Sequence, residues 1–187
     1  GDSNDLGSAH GPSITINTDD EDEDGNDHVI RRISQVPEYQ LSNGERNPLG
    51  VWCHEFGHEL GLPDYYDTDG SSEGVGNWAV MAAGSWGNNG ETPVYFSAYS
   101  RYWLGWDQPI TVEDDVSNLV IEPVSEGGKI YKLPIPGNWT NSEEYFLLEN
   151  RQQTRYDTYL PGEVLLILHI DEDIMFSKWS SNTVNND

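Results

Sequence analysis

Residues 47–67 read NPLGVWCHEFGHELGLPDYYD, and this stretch restricts the fold more than any other in the chain. Asn47 is a strong helix N-cap, and Pro48 suits the first helical position, where its missing N–H costs nothing. Val51, Trp52, Phe56 and Leu60 then recur at helical spacing. Gly61 accepts the left-handed conformation that ends many helices, and Pro63 blocks a restart. The sequence therefore predicts a helix over 48–60 with both ends marked. On that helix His54 and His58 are four residues apart, so they share one face, one turn from each other.

Two imidazoles so placed can aim nitrogens at one ion, and neutral imidazole is a good zinc ligand. Glu55 follows His54 directly, within reach of a metal-bound water without needing to bind the metal itself. A catalytic zinc needs a third protein ligand and one open position. Gly61 lets the backbone turn after the helix, and Asp64, three residues on, can return a carboxylate to the same ion. The spacing H-E-x-x-H-x-x-G-x-x-D resembles the extended zinc motif of the metzincins, with Asp in place of the third His. Metzincins also carry a methionine in a tight turn beneath the metal. Met81 in AVMAAGSW, one of two methionines, stands at a suitable distance, although alone it would read as core filler. A structural zinc site is closed by four ligands rich in Cys, whereas Cys53 is the single cysteine and points away from the histidine face.

The rest of the chain frames this motif. The run DDEDEDGND, Asp19 to Asp27, contains six consecutive acids and reads as a solvated, mobile loop. Asp20, Asp22 and Asp24 before Gly25 match half of a calcium-binding EF-hand loop, but Arg31 occupies the closing glutamate position. Residues 13–17 and 28–33 are strand candidates. A second helix is expected from the Thr92 cap through Pro93 to Gly105, after a glycine-rich loop over 64–91. Strands are expected at 118–124, 128–135, 144–150 and 163–170, with turns at PGNW and LPGE. The division is then an acidic flexible segment at 1–28, a catalytic core at 29–108 and a truncated β-rich part at 109–187. A formal net charge of −24 and a pI near 4.1 disfavour nucleic acid and anionic membranes as partners, and no apolar run is long enough to span a bilayer.

The blocks GVWCHEFGHELGLPDYYDTD, GVGNWAVMAAGSW, TPVYFSAYSRYWLGW and YFLLENRQQTRYDTYLPGEVLLILHID together resemble the immune inhibitor A family of secreted metallopeptidases, from about Val51 to Asp171. The resemblance implies an α+β, metzincin-like catalytic domain with a zinc helix, a Met-turn, a second helix and a following β-rich region. It implies a secreted zinc endopeptidase acting on protein or peptide substrates. His54, His58 and Asp64 would hold Zn2+, Glu55 would be the catalytic base and Met81 the Met-turn. Calcium occurs among such enzymes. Asp67, Asp69 and Glu73, in a Gly-rich turn, are the candidate Ca2+ ligands, with a merely solvated loop as the alternative.

Two departures stand out. Only 47 residues precede the zinc helix residues, so the N-terminal subdomain is expected to be short or truncated. Some metzincins place a tyrosine two residues after the turn methionine. Here Ala83 stands there, which leaves Tyr65 or Tyr66 to assist the transition state. The main alternative function is a non-catalytic metal- or calcium-binding remnant serving as a surface or adhesion module. A zinc hydrolase of a non-peptide substrate is a second alternative. Cleavage-site preference and oligomeric state do not follow from the sequence.

Overall fold

The computed structural model describes residues 9–40, 44–135 and 144–186. Its element order gives an α+β chain in two sheets: an antiparallel hairpin of β1 (Ala9–Glu21) and β2 (Asp27–Gln35), and a four-stranded sheet. The four strands are β3 (Ile110–Thr111), β4 (Tyr131–Pro134), β5 (Glu144–Arg151) and β6 (Val164–Asp171), adjacent in that order. β3 runs parallel to β4, and the other pairings are antiparallel. Among the described residues three α-helices lie with them, α1 (Leu49–Glu59), α2 (Ala98–Trp103) and α3 (Glu172–Trp179). No described helix is long and apolar enough to cross a membrane.

Helix α1 falls within the expected span, with one change at its start. Pro48, in extended conformation, is the cap residue. Asn47 lies one position outside, and its side-chain amide donates to the Pro37 carbonyl at 2.7 Å, fastening the helix entry to the segment after β2. The C-terminus closes as expected. Gly61 has φ +96, its N–H donates to the His58 carbonyl at 2.9 Å, and the Leu62 N–H donates to the Gly57 carbonyl at 3.1 Å. This pair of bonds is the Schellman arrangement, which satisfies carbonyls left free at a helix end.

The acidic segment differs from the loop expected for it. Asp19–Glu21 complete β1, and the remaining acids form the hairpin turn. There the Asp22 carboxylate accepts from the N–H groups of Asp24 and Asn26, both at 2.9 Å, so local donors stabilise the turn. Alternating side-chain directions let a strand carry several acids where both faces meet water. The hairpin touches the rest of the fold through Ser34, whose hydroxyl donates to the Glu55 carbonyl on α1 at 3.0 Å.

The second helix starts later than expected. Thr92 and Pro93 do not open it; Ser97 caps it, accepting from the Ser100 N–H at 3.3 Å. Residues 93–97 stay non-helical because their backbone groups are taken elsewhere. The Val94 N–H donates to the Gly84 carbonyl at 3.1 Å and the Tyr95 N–H to the Asp157 carboxylate at 3.0 Å. Residues 118–122 form no strand either. Of the strand expected at 118–124 there is only an isolated bridge between Pro123 and Asn150 of β5, and a 3-10 turn begins at Val124. The strands expected at 128–135, 144–150 and 163–170 are β4, β5 and β6. The turn expected at 136–139 lies outside the described residues.

β5 alternates buried and half-buried residues along its length, and its buried face puts Tyr145, Leu147, Glu149 and Arg151 towards the core. Tyr145 and Leu147 join Leu62, Tyr65, Met81, Tyr99 and Ile130 in the hydrophobic cluster. Glu149 and Arg151 are fully buried yet charged, so they require partners. Arg151 donates twice to Asp157 at 2.7 Å, to Glu149 at 3.2 Å and to the Trp78 carbonyl at 2.9 Å. Glu149 also accepts from Arg101 and from the Ala98 N–H, both at 3.1 Å. This network ties the sheet to α2, to the turn at 155–159 and to the Trp78–Ala82 segment that lies under α1.

The close contact of α1 with that segment depends on two glycines. A Cβ on Gly57 would come within 2.2 Å of the Met81 sulfur, and one on Gly50 within 1.8 Å of the Ser85 carbonyl oxygen. The helix therefore rests directly on the methionine and on the 83–90 turn, and this contact fixes the height of the two histidines.

Candidate metal centre

His54, Glu55 and His58 come from α1, and Asp64 from the loop that the Gly61 turn sends back across the helix end. The structure brings His54, His58 and Asp64 together as a group able to hold a metal ion, and no other such group exists among the described residues. Asp64 Oδ1 stands 2.9 Å from His54 Nε2 and 3.3 Å from His58 Nε2. All three side chains are largely removed from water.

The tautomers follow from the other ring nitrogens. His54 Nδ1 lies 2.9 Å from the Val80 carbonyl oxygen, and His58 Nδ1 2.8 Å from that of Leu62. A carbonyl only accepts, so each Nδ1 carries a hydrogen, and in its neutral form, the one that binds a metal, each ring turns an unprotonated Nε2 towards Asp64. Asp64 Oδ1 is buried and receives no hydrogen-bond donor. In that form three electron-pair donors converge with no proton between them. Such a group is costly unless a positive charge sits at its centre. Without an ion a proton can meet part of that cost: burial disfavours a charged His58, yet the adjacent Asp64 carboxylate outweighs burial and raises the His58 pKa. Burial likewise opposes ionisation of Asp64, and the His54 and His58 rings together with the Asn182 amide overcome it, holding the carboxyl well below the usual range. The donor set, two imidazoles and a carboxylate, suits a divalent zinc. Neighbouring ligands of a tetrahedral zinc are about 3.3 Å apart, close to the spacings found. The residues present therefore fit the metal.

The surroundings of the triad sort the remaining sequence candidates. Glu55 is buried, 7% exposed, and lines a cavity of about 430 Å³ with His54, Val51, Tyr66, Ala82, Ala83, Ser85, Trp86 and Asn47. Tyr66 is half open to this cleft, and its ring stacks on His54 with centroids 6.1 Å apart. Burial, then the nearby charge and hydrogen bond of Asp64, push its phenol pKa up, so the hydroxyl keeps its proton. Tyr65 points the other way, into the core, and is 4% exposed. Met81 is fully buried under Gly57, and its carbonyl accepts from the Tyr65 N–H at 2.7 Å. Cys53 is a half-buried free thiol packed against the core.

Asp67, Asp69 and Glu73 do not converge as the triad does. Asp67 turns its carboxylate into its own loop, accepting from the N–H groups of Asp69 at 2.9 Å and Ser72 at 2.5 Å and from the Ser71 hydroxyl at 2.8 Å. Asp69 accepts from the Ser71 N–H at 3.0 Å. The loop's own donors thus meet these two carboxylates. Asp20, Asp22 and Asp24 form no cluster with metal-ligand spacing either.

Asn182 is a contact that the sequence did not reveal. Its side-chain oxygen accepts from the Asp64 N–H at 2.7 Å, and its side-chain nitrogen donates to Asp64 Oδ2. Nothing in the run SSNTVNND distinguishes it from a solvated tail. Its one local signal is φ +57, a conformation that Asn tolerates better than most residues.

Comparison with known proteins agrees with this geometry. Residues 13–108 match the model of the immune inhibitor A peptidase M6 catalytic domain. Immune inhibitor A of Bacillus thuringiensis subsp. alesti is 46% identical over 83 residues, 40% of this chain and 12% of that protein. The pre-pro-metalloprotease PrtV of Vibrio cholerae serotype O1 is 46% identical over 59 residues, 29% of this chain and 6% of that protein. The chain thus spans about a tenth or less of the length of these curated relatives. No solved structure matches it significantly. With the family model covering half of its length and a histidine–histidine–aspartate triad assembled inside the match, the chain belongs to the immune inhibitor A peptidase M6 family.

Proposed function

We propose that this chain is the catalytic part of a secreted, zinc-dependent endopeptidase that hydrolyses peptide bonds in proteins. The observation that carries the reading is the convergence of His54 Nε2, His58 Nε2 and the unpartnered Asp64 Oδ1 at an open cleft that also holds buried Glu55. Zinc held there would acidify water and polarise the scissile carbonyl. Glu55 takes the proton of the attacking water and returns it to the leaving amine. Its place in the cleft beside His54 supports this role, because it holds the carboxylate next to the candidate metal site. Tyr66, protonated and beside His54, donates a hydrogen bond to the oxygen that gains charge. The Val80 and Leu62 carbonyls keep both imidazoles in the tautomer that presents Nε2. Met81 acts as the metzincin-like turn methionine, a packed support under α1.

We place residues 109–187 in the same catalytic unit, since the segment after α3 binds Asp64 directly and β5 fastens Trp78, which precedes the Val80 carbonyl that meets His54. Secretion is proposed from the family resemblance, and the name of the Vibrio relative describes a pre-pro-protein. A purely structural metal site would have no use for a buried glutamate in the cleft, which disfavours the non-catalytic alternative.

The test is metal content of the purified chain, together with cleavage of unfolded casein before and after chelation. We expect one zinc per chain, cleavage lost on chelation and restored by zinc, and Tyr66→Phe to keep zinc while kcat falls by about tenfold to a thousandfold. Cleavage that survives complete metal removal would refute the reading.

A further inference from the structure

Helix α3 leads into a segment, 179–186, that lies across the loop carrying Asp64. The Trp179 indole N–H donates to the Gly61 carbonyl at 3.1 Å. The Asn185 amide donates to the Tyr65 carbonyl at 2.6 Å. The Asn186 side-chain oxygen accepts from the Thr68 N–H at 3.1 Å and hydroxyl at 2.9 Å. Val184 is buried in the cluster with Leu62 and Tyr65. These contacts dock the segment through loop backbone, Thr68 and the core.

Asn182 is different in kind. Its two amide atoms form a reciprocal pair with one residue, accepting from the Asp64 backbone and donating to Asp64 Oδ2. The carboxylate is thereby gripped by the oxygen that faces away from the histidines. Rotation about its last torsion, otherwise broad for Asp, would break the bond. Oδ1 alone remains free of donors, and it faces both Nε2 atoms.

We propose that Asn182 is a positioning residue that fixes Asp64 as a one-oxygen metal ligand, which makes the 179–186 segment part of the metal site. The proposal rests on the reading of His54, His58 and Asp64 as metal ligands. Asn182 lies outside the residues matched by the family model. The amide removes the alternative in which both carboxylate oxygens swing onto the ion, and it prepays the ordering of the loop before metal arrives.

The test compares the full chain with Asn182→Gly and Asn185→Ala. Glycine accepts φ +57 without strain, so Asn182→Gly deletes the amide and spares the backbone. Asn185→Ala loosens the same segment without touching the carboxylate. Three quantities are read: zinc affinity by competition with a chromophoric chelator, the visible spectrum of the cobalt-substituted protein, and thermal unfolding of the metal-free protein. We expect Asn182→Gly to weaken zinc about tenfold to a hundredfold and to alter the cobalt band intensities as coordination changes, with the metal-free protein still folded. We expect Asn185→Ala to leave affinity and spectrum within about twofold of the wild type, well short of the roughly tenfold or more lost when a metal ligand loses its hydrogen-bond partner. An unchanged affinity and spectrum in Asn182→Gly would overturn the proposal. So would an equal loss in Asn185→Ala, or a metal-free Asn182→Gly that fails to fold, since either makes the amide a strut for the segment. A wild-type chain that takes up neither ion would refute the metal-site reading itself, a result distinct from these.

Discussion

Glu55→Gln is expected to bind zinc as the wild type does and to cleave casein about a hundredfold to ten thousandfold more slowly, the range that a positioned general base supplies. Glutamine keeps the size of the side chain in a position that is 7% exposed, so packing is preserved. It cannot take a proton at neutral pH. The group able to hold a metal is His54, His58 and Asp64 without Glu55, so on the proposed reading metal content should be unaffected. Asp64→Ala should behave in the opposite sense, losing affinity first. Measurement of zinc stoichiometry and kcat on the same preparations separates the two roles. Loss of zinc in Glu55→Gln would move Glu55 from base to ligand, and retained turnover would remove it from the mechanism.

The second large effect lies under the site. Asp157→Ala is expected to destabilise the fold by about 3–5 kcal/mol, the usual cost of stranding one member of a buried ion pair. Arg151 is fully buried and gives Asp157 two bonds at 2.7 Å, and the Tyr95 N–H gives a third at 3.0 Å. Alanine leaves the guanidinium with Glu149 and the Trp78 carbonyl, and leaves the Tyr95 N–H with nothing. For a domain whose whole stability is about 5–15 kcal/mol, such a loss is a large fraction. Urea unfolding should show a lower midpoint with an unchanged slope. A shift under about 1 kcal/mol, within the range of ordinary surface substitutions, would show that water replaces the carboxylate. The damage should extend to chemistry as well, because Trp78 begins the segment whose Val80 carbonyl orients His54.

The sequence told most about what is local. His54, Glu55, His58 and Asp64 span eleven positions of one helix and its exit turn, and helical periodicity with Gly61 places all four. The strands β4, β5 and β6 were legible from their β-branched and aromatic runs. What failed depended on partners distant in sequence. Thr92-Pro93 is a good helix start by composition, but Asp157 holds the Tyr95 N–H and delays the helix to Ser97. Residues 118–124 have strand composition, but only Pro123 forms a bridge to the sheet, at Asn150, and the chain turns away at the 3-10 turn that starts at Val124. The acidic run looked like coil because charge counting does not see a hairpin partner. Helix α3 passed unread, although the Asp171 cap, Glu172 and Asp173 in the first turn and Lys178 in the last are its signals. Tyr65 and Tyr66 could not be told apart, because adjacent residues outside a helix face opposite ways and only the fold says which way is inward.

The hydrogen bonds of the two kinds of ligand also set an order of assembly. His58 is oriented by a carbonyl four residues away, whereas Asp64 is gripped by an amide 118 residues away. Closing the longer loop costs about 3 kcal/mol more chain entropy than closing the shorter, from the logarithmic dependence on length. Helical turns form in about a microsecond, so the two imidazoles are paired early on the folding path, with the carboxylate still wandering. In refolding from urea, helical ellipticity should therefore rise before tight zinc capture. Simultaneous appearance would mean that the histidine pair needs no help from the chain's far end. On the proposed reading, a half-built chain would hold metal only loosely, and so would stay inert until the last contacts of the fold are made.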